Sequence, residues 1–316
     1  MQDNPLVSIL INNYNYGRFL QEAIDSALNQ TYSPTEVIVV DDGSTDSSRE
    51  IIASYGNKII PVLKENGGQA SAFNAGFAAS RGDIICFLDS DDAFLPEKVA
   101  EVIDAFGDRQ DLGLCCHPVK WVDIDGKPST TNNSQDSSST TKNDFEEPKC
   151  EYDLRAYVKS GKVRNKFPIF TPTSGLSFRR SLLQQILPMP EAKNIGLNDA
   201  YMDFIALALS KIIILNKELA LYRIHGSNAY TMRNDGQKVK ARINMLTSYW
   251  MRVKFPSFSK FTNRLFALSV GVYGRIGGVE VEDREFVEKY LSSVTLIERL
   301  KIYTFAFYYY IKNPKY

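Results

Sequence analysis

Four short apolar runs, separated by helical stretches and each closed by polar residues, restrict this chain more than any other feature. Val7-Ser8-Ile9-Leu10-Ile11 reads as a buried strand, and Phe19, Leu20, Ala23, Ile24, Ala27 and Leu28 then fall on one face of a helix. Glu36 to Val40 reads as a second strand, ending at Asp41-Asp42-Gly43-Ser44. Ser47 and Glu50 have the spacing of a capping box for the helix through Ile51 and Ile52. Ile59 to Leu63 is a third strand, followed by the Asn66-Gly67-Gly68 turn and a small-residue helix over Ala70 to Ala79. Asp83 to Leu88 is a fourth, and Asp89 begins where it ends. This alternation predicts an α/β fold, a mostly parallel sheet flanked by helices, with ligands bound off the carboxyl ends of the strands.

The rest of the chain carries weaker signals. Residues 129–141 are too polar to pack and predict a flexible loop over about 127–147. A segment around Thr171 to Phe178, a helix from about Asn198, and strand-like pieces at Ile212 to Leu215 and Leu219 to Ile224 come next. The remainder reads as helical, so the expected division is a ligand-binding domain over 1–232 and a helical extension over 233–316.

Charge narrows the partners. The 316 residues balance 37 basic against 37 acidic side chains, which lacks the basic footprint that nucleic acid demands. The balance is uneven along the chain, with 14 Lys and Arg against 6 Asp and Glu from Gly236 to Tyr316, leaving 23 against 31 before it. Cys86, Cys115, Cys116 and Cys150 show no metal-binding spacing, and no signal-like segment follows Met1, so a reducing, cytoplasmic setting is expected. The apolar run from Ile302 to Ile311 is about half the roughly 20 residues of a spanning helix.

Asp89-Ser90-Asp91-Asp92 has hard-cation chemistry. Carboxylate oxygens suit Mg or Mn, and Asp89 and Asp91, two apart on an extended segment, face one way. Asp92 reads as a spare ligand or as the N-cap of a helix beginning near Pro96. Acidic residues after strands also serve plain turn and cap chemistry, and the same holds for Asp41 and Asp42. Two acidic strand ends in one sheet favour the functional reading.

Taken together, Val7 to Asn15, Ala27 to Thr31, Val40 to Asp46, Glu65-Asn66-Gly67-Gly68 with Asn74-Ala75-Gly76, Gly82-Asp83 and Phe87 to Asp92 resemble the successive motifs of glycosyltransferase family 2. The resemblance implies a GT-A fold and inverting transfer of a sugar from a nucleoside diphosphate, commonly uridine-linked, to an acceptor hydroxyl. It implies that Asn12 and Tyr14 line the base pocket, that Asp41 or Asp42 holds the base, and that Asn66, Gly68 and Asn74 wall the ribose and phosphates. Asp89 and Asp91 would meet a divalent metal and the diphosphate. Phe73 stands where many relatives carry Arg, so a charge contact to the donor is missing or supplied elsewhere. Ser174 and Gly175 would lie beneath sugar and acceptor, and His225 would reach the metal or diphosphate.

An inverting transfer needs a base to take the acceptor proton. In Leu197 to Asp203 the resemblance points to Asp199, with Asp203 one turn on as the alternative. The acceptor is expected to be a saccharide or lipid-linked saccharide in polysaccharide or cell-envelope synthesis. A silent nucleotide-sugar-binding module is the rival reading; a dinucleotide oxidoreductase lacks its Gly-x-Gly-x-x-Gly after the first strand. Leu296, Leu300, Tyr303 and Phe307, at helical spacing beside Arg299, Lys301, Lys312 and Lys315, allow a helix packed on the catalytic domain or one lying on an anionic membrane. Packing is preferred, because Tyr308, Tyr309 and Tyr310 run around the helix.

Overall fold

The computed structural model describes residues 4–129, 147–162, 171–191, 197–226, 228 and 235–312. The loop predicted over 127–147 falls almost wholly outside them. The chain divides into two compact units: residues 1–153, 169–194 and 209–225 form the first, and 154–168, 195–208 and 226–316 the second. Two earlier segments thus group with the C-terminal helices.

In the first unit the four expected strands are β1 (Val7–Asn13), β2 (Thr35–Asp42), β3 (Ile60–Lys64) and β4 (Ile84–Asp89). The helices α1 (Gly17–Leu28), α2 (Ser48–Ser54) and α3 (Gln69–Ala79) link them. They lie in the order β3-β2-β1-β4, and every pairing among them is parallel. Continuous apolar runs such as Val7, Ile9, Leu10 and Ile11 suit this position, because helices cover both faces of a parallel sheet. Asp46, and not Ser47, caps the start of α2. Ser47 makes no side-chain cap bond, whereas the Asp46 carboxylate accepts from the backbone of Ser48 and of Gly17, 2.9 Å away, at the start of α1. One carboxylate, with several lone pairs, serves two helix starts where a hydroxyl would serve one.

Beyond the four strands come β5 (Ala93–Phe94), α4 (Lys98–Phe106), β6 (Leu112–Cys116), β7 (Lys120–Val122), β8 (Lys149–Tyr152) and α5 (Arg155–Lys159). They are followed by β9 (Leu176–Arg179), α6 (Arg180–Ile186), α7 (Asp199–Leu209), β10 (Lys211–Leu215) and β11 (Ala220–Arg223). The large sheet runs on as β4-β9-β6-β10-β8, with β9 antiparallel to both neighbours and β8 antiparallel at the edge. Among the described residues it is an eight-stranded, mostly parallel sheet, with a second, three-stranded sheet of β5-β11-β7.

The second unit holds α5, α7, α8 (Gly236–Lys254), α9 (Ser259–Arg275), α10 (Arg284–Ser292) and α11 (Leu296–Lys312). α9 packs against both α8 and α11. Its interior is knit by Arg242, whose Nε donates to both oxygens of the buried Asp283, and by Phe266 stacked on Tyr290 at 3.9 Å. Among the described residues, no helix is long and apolar enough to cross a membrane.

Candidate functional site

β1 ends between β2 and β4, so its last residues reach both strand ends. Asn12 is opposite Asp89 in register and donates Nδ2–H to Asp89 Oδ1 at 2.8 Å. Asn13 is opposite Asp41 and donates to Asp41 Oδ1 at 3.0 Å. Adjacent strand residues face opposite sides, so two neighbouring asparagines serve two carboxylates.

A tight turn, closed by Asp92 N–H donating to Asp89 O at 3.0 Å, gathers the acidic cluster. One carboxylate oxygen from each of Asp89, Asp91 and Asp92 lies within 4.8 Å of the others. The expected pair is therefore a trio, made by a turn and not by strand alternation. Asp92 is not an N-cap: α4 begins at Lys98 with Glu97 before it, while Asp92 Oδ2 accepts from Ser174 Oγ at 2.6 Å and Oδ1 from Arg223 N at 2.9 Å. Burial first, then the charges of Asp91 and Asp89, push the Asp92 carboxyl well above its usual range.

Four further side chains support this cluster. Ser174 Oγ also accepts from Asp89 N at 3.1 Å, which places it directly behind the acidic turn. Gly175 is packed tightly: a Cβ there would stand 2.6 Å from His117 O. Nε2 of His225 lies 3.0 Å from Asp91 Oδ2, at hydrogen-bond distance, and its ring stacks on Phe19 at 4.9 Å. Arg223, also over Phe19, donates to Asp91 O, Ile124 O and the Glu22 carboxylate. Tyr16 stands edge-on to His225; burial and then the charges of Asp91, Asp89 and Asp92 raise its phenol to about 12, so it stays protonated at neutral pH. Arg223 falls in the strand-like piece Leu219 to Ile224 and Tyr16 directly follows the Val7 to Asn15 motif, but no local signal gave either a role.

The second cluster lies at the end of β2. Asp41 is fully buried and accepts from Asn13, Ser44 N and Arg49 Nε; burial pushes its carboxyl up, but these donors outweigh it and hold it below the usual range. Asp42 accepts from Lys64 Nζ at 2.6 Å and from the backbone of Gly67 and Gly68. Gly43, at φ +82°, abuts Asn66, joining the two predicted turns. Both predicted base-holding carboxylates thus already have internal partners. Tyr14 is half exposed, and Asn66 and Gly68 are exposed. Asn74 is turned elsewhere: its amide exchanges hydrogen bonds with the backbone of Met189 and reaches the Glu191 carboxylate. Phe73 is buried, edge-on to Phe87 at 4.9 Å, and fills core volume where a charge was expected in relatives.

Asp199 and Asp203 belong to the second unit, on the first turns of α7. Asp199 is partly exposed, whereas Asp203 is 3% exposed and is pushed well above the usual carboxyl range by burial and then by Asp199.

Residues 8–187 match the profile of Glycosyl transferase family 2. An uncharacterized glycosyltransferase of Nostoc sp. is 37% identical over 253 residues, spanning 77% of this chain and 74% of that protein. The chain belongs to glycosyltransferase family 2, and it is a glycosyltransferase. Among solved structures, S. aureus TarS 1-349 in complex with UDP-GlcNAc aligns over 98% of this chain and 89% of that one, with a TM-score of 0.62 at 18% identity. A mannosyltransferase from Pyrobaculum calidifontis, in complex with GDP-Man and Mn2+, aligns over 99% and 88%, with a TM-score of 0.50 at 16% identity. At such identities the likeness is one of fold, and that fold is GT-A.

Proposed function

We propose that this glycosyltransferase moves a sugar from a nucleoside diphosphate, uridine-linked, to a hydroxyl of a saccharide or lipid-linked saccharide, with inversion and with a divalent cation at Asp89, Asp91 and Asp92. The carboxylate trio at the carboxyl end of β4 carries this reading. Its donor set fits a hard cation: three mutually repelling carboxylates, a His225 ring at Asp91, and a buried Asn12 Oδ1 with no hydrogen bond among the described residues. Mn or Mg bound there would neutralise charge on the departing diphosphate.

The chain's own groups supply the rest. Ser174 and Arg223 hold the acidic turn in shape, and Tyr16 offers a protonated phenol beside it. In this reading Tyr14, half exposed after β1, stacks on the base, and Asp41, Asp42, Asn66 and Gly68 shape the wall around it. Ser174 and Gly175 lie under the sugar side, and Asn74 acts through the Met189 segment.

Asp199 is assigned as the base that takes the acceptor proton. Its partial exposure supports this over Asp203, whose burial favours the protonated form. We place the reaction in polysaccharide or cell-envelope glycan assembly, in a reducing, cytoplasmic compartment that four free cysteines favour.

The test measures donor-dependent release of nucleoside diphosphate with Mn or Mg, alongside thermal unfolding with UDP- and GDP-sugars. Asp91→Asn should lose turnover and the metal-dependent stabilisation together. Asp199→Asn should keep the stabilisation and lose transfer by about a hundredfold or more, as expected of a missing base. Full turnover by Asp91→Asn would defeat the metal assignment, and stabilisation by GDP-sugars alone would defeat the uridine one.

A further inference from the structure

α11 (Leu296–Lys312) has two apolar faces, and only one is covered. Ile302, Ala306 and Tyr309 are buried. Gly271 of α9 makes this approach possible, since a Cβ there would stand 2.6 Å from Ala306 O, and Arg264 Nε donates to Tyr309 Oη at 3.1 Å. On the opposite side Leu296, Ile297, Leu300, Tyr303, Phe307 and Ile311 are exposed, Leu296 to 72% and Phe307 to 65%. At about 100° per residue, these together with Tyr308 and Tyr310 sweep about 160° of the helix.

The rims of that arc are cationic. Lys301 and Lys312 border one side, with Lys312 Nζ 5.6 Å from the Tyr308 ring centre. Arg299, donating to Leu291 O, borders the other. Glu298, the single acid of the helix, turns away to Asn263 and Arg252. A mainly apolar, tyrosine-rich face, interrupted by Thr304 whose hydroxyl donates to Leu300 O, with basic edges and no acid, is therefore presented outward, in a segment with 14 basic and 6 acidic residues from Gly236 to Tyr316.

We propose that this face of α11 lies in the interfacial layer of an anionic phospholipid bilayer, its apolar arc among the upper acyl chains and its lysines at the headgroups. A second copy of the chain fits less well. The arc is far wider than a two-stranded seam, and the 17-residue helix is shorter than the three to four heptads that sustain one. Cationic rims repel each other across a pair of copies but attract anionic headgroups. Tyrosines suit the interface, where an apolar ring and a polar tip meet different media, and lysine stems extend along the apolar face to reach it.

Flotation of the full chain with phosphatidylglycerol–phosphatidylcholine vesicles, against pure phosphatidylcholine vesicles, tests this. The chain should float with the first and about tenfold less with the second. Joint Leu300→Glu and Phe307→Glu, at exposed positions, should cut the bound fraction about tenfold, with circular dichroism and the melting temperature unchanged. Joint Lys301→Glu and Lys312→Glu should weaken binding to the anionic vesicles alone. Lack of flotation, equal flotation of all variants, or a lipid-free dimer that Phe307→Glu dissolves would overturn the proposal.

Discussion

Arg223 holds the acidic turn by more than charge. Its guanidinium is 3% exposed and divides three donors among Asp91 O, Ile124 O and Glu22, while its backbone N–H serves Asp92. Glu22 is half exposed, so that ion pair counts for little, and the weight falls on the bond to the carbonyl of buried Asp91, with Ile124 O as a more exposed second acceptor. Arg223→Lys keeps the charge but cannot span these acceptors. We expect a loss of about 2 kcal/mol in unfolding free energy and at least about tenfold in turnover, read by urea melts and nucleoside diphosphate release. His117 governs a pH effect. It is fully buried, its Nδ1–H donates to Pro118 O at 2.9 Å, and burial, then the charge of Lys98, lowers its pKa to about 3. The unfolded chain binds this proton near the ordinary value of about 6.5 and the folded chain does not. Stability is therefore unaffected above that value and falls as pH drops from about 6.5 toward 3, by up to about 1.4 kcal/mol per pH unit. His117→Gln should flatten that part of the urea midpoint against pH; an unchanged slope would assign it to the carboxylates.

Among elements, the turn after β2 shows how backbone geometry sets the second cluster. Gly43 sits at φ +82°, and a Cβ there would lie 2.6 Å from Asn66 N, so both torsion and space exclude a side chain. Gly43→Ala should cost about 2 kcal/mol, seen as a lower urea midpoint at constant m-value, and should weaken donor binding by displacing the turn that carries Gly67 and Gly68 to Asp42. Expected strand positions hold to within a residue or two at these elements, because their signals are local: apolar runs, then turn residues. β9 escaped that logic. Its four residues run antiparallel between β4 and β6, a position that depends on partners far along the chain.

For the molecule as a whole, ligand binding and stability are linked. A cation and donor that bind only the folded chain should raise its stability by about 2.7 kcal/mol at a hundredfold excess over the dissociation constant, measurable as a shift in melting temperature. The cation alone should shift it less, since it then lacks the diphosphate oxygens that would complete its ligand set. The equal totals of acidic and basic residues hide an acidic N-terminal stretch and a basic C-terminal one. That asymmetry is where the vesicle experiment should show its salt dependence.

Alternating β and α signals, the acidic strand ends and the order of the motifs were readable from the sequence, because period and neighbouring residues encode them. Asp89 and Asp91 could be picked out as candidates on that basis and His225 from the resemblance to glycosyltransferase family 2, and the trio and the His225–Asp91 contact bring them together. What the residues do to one another was decided only in three dimensions. Asp92 finds Ser174 from 82 residues away and Arg223 from 131, and His225 finds Asp91 from 134. No local pattern spans such distances. Asp46 displaces Ser47 as the cap because a second helix start happens to lie beside it. α11 is both packed and exposed for the same reason: its sequence supplies apolar residues all round, and the position of α9 determines which of them remain for a partner.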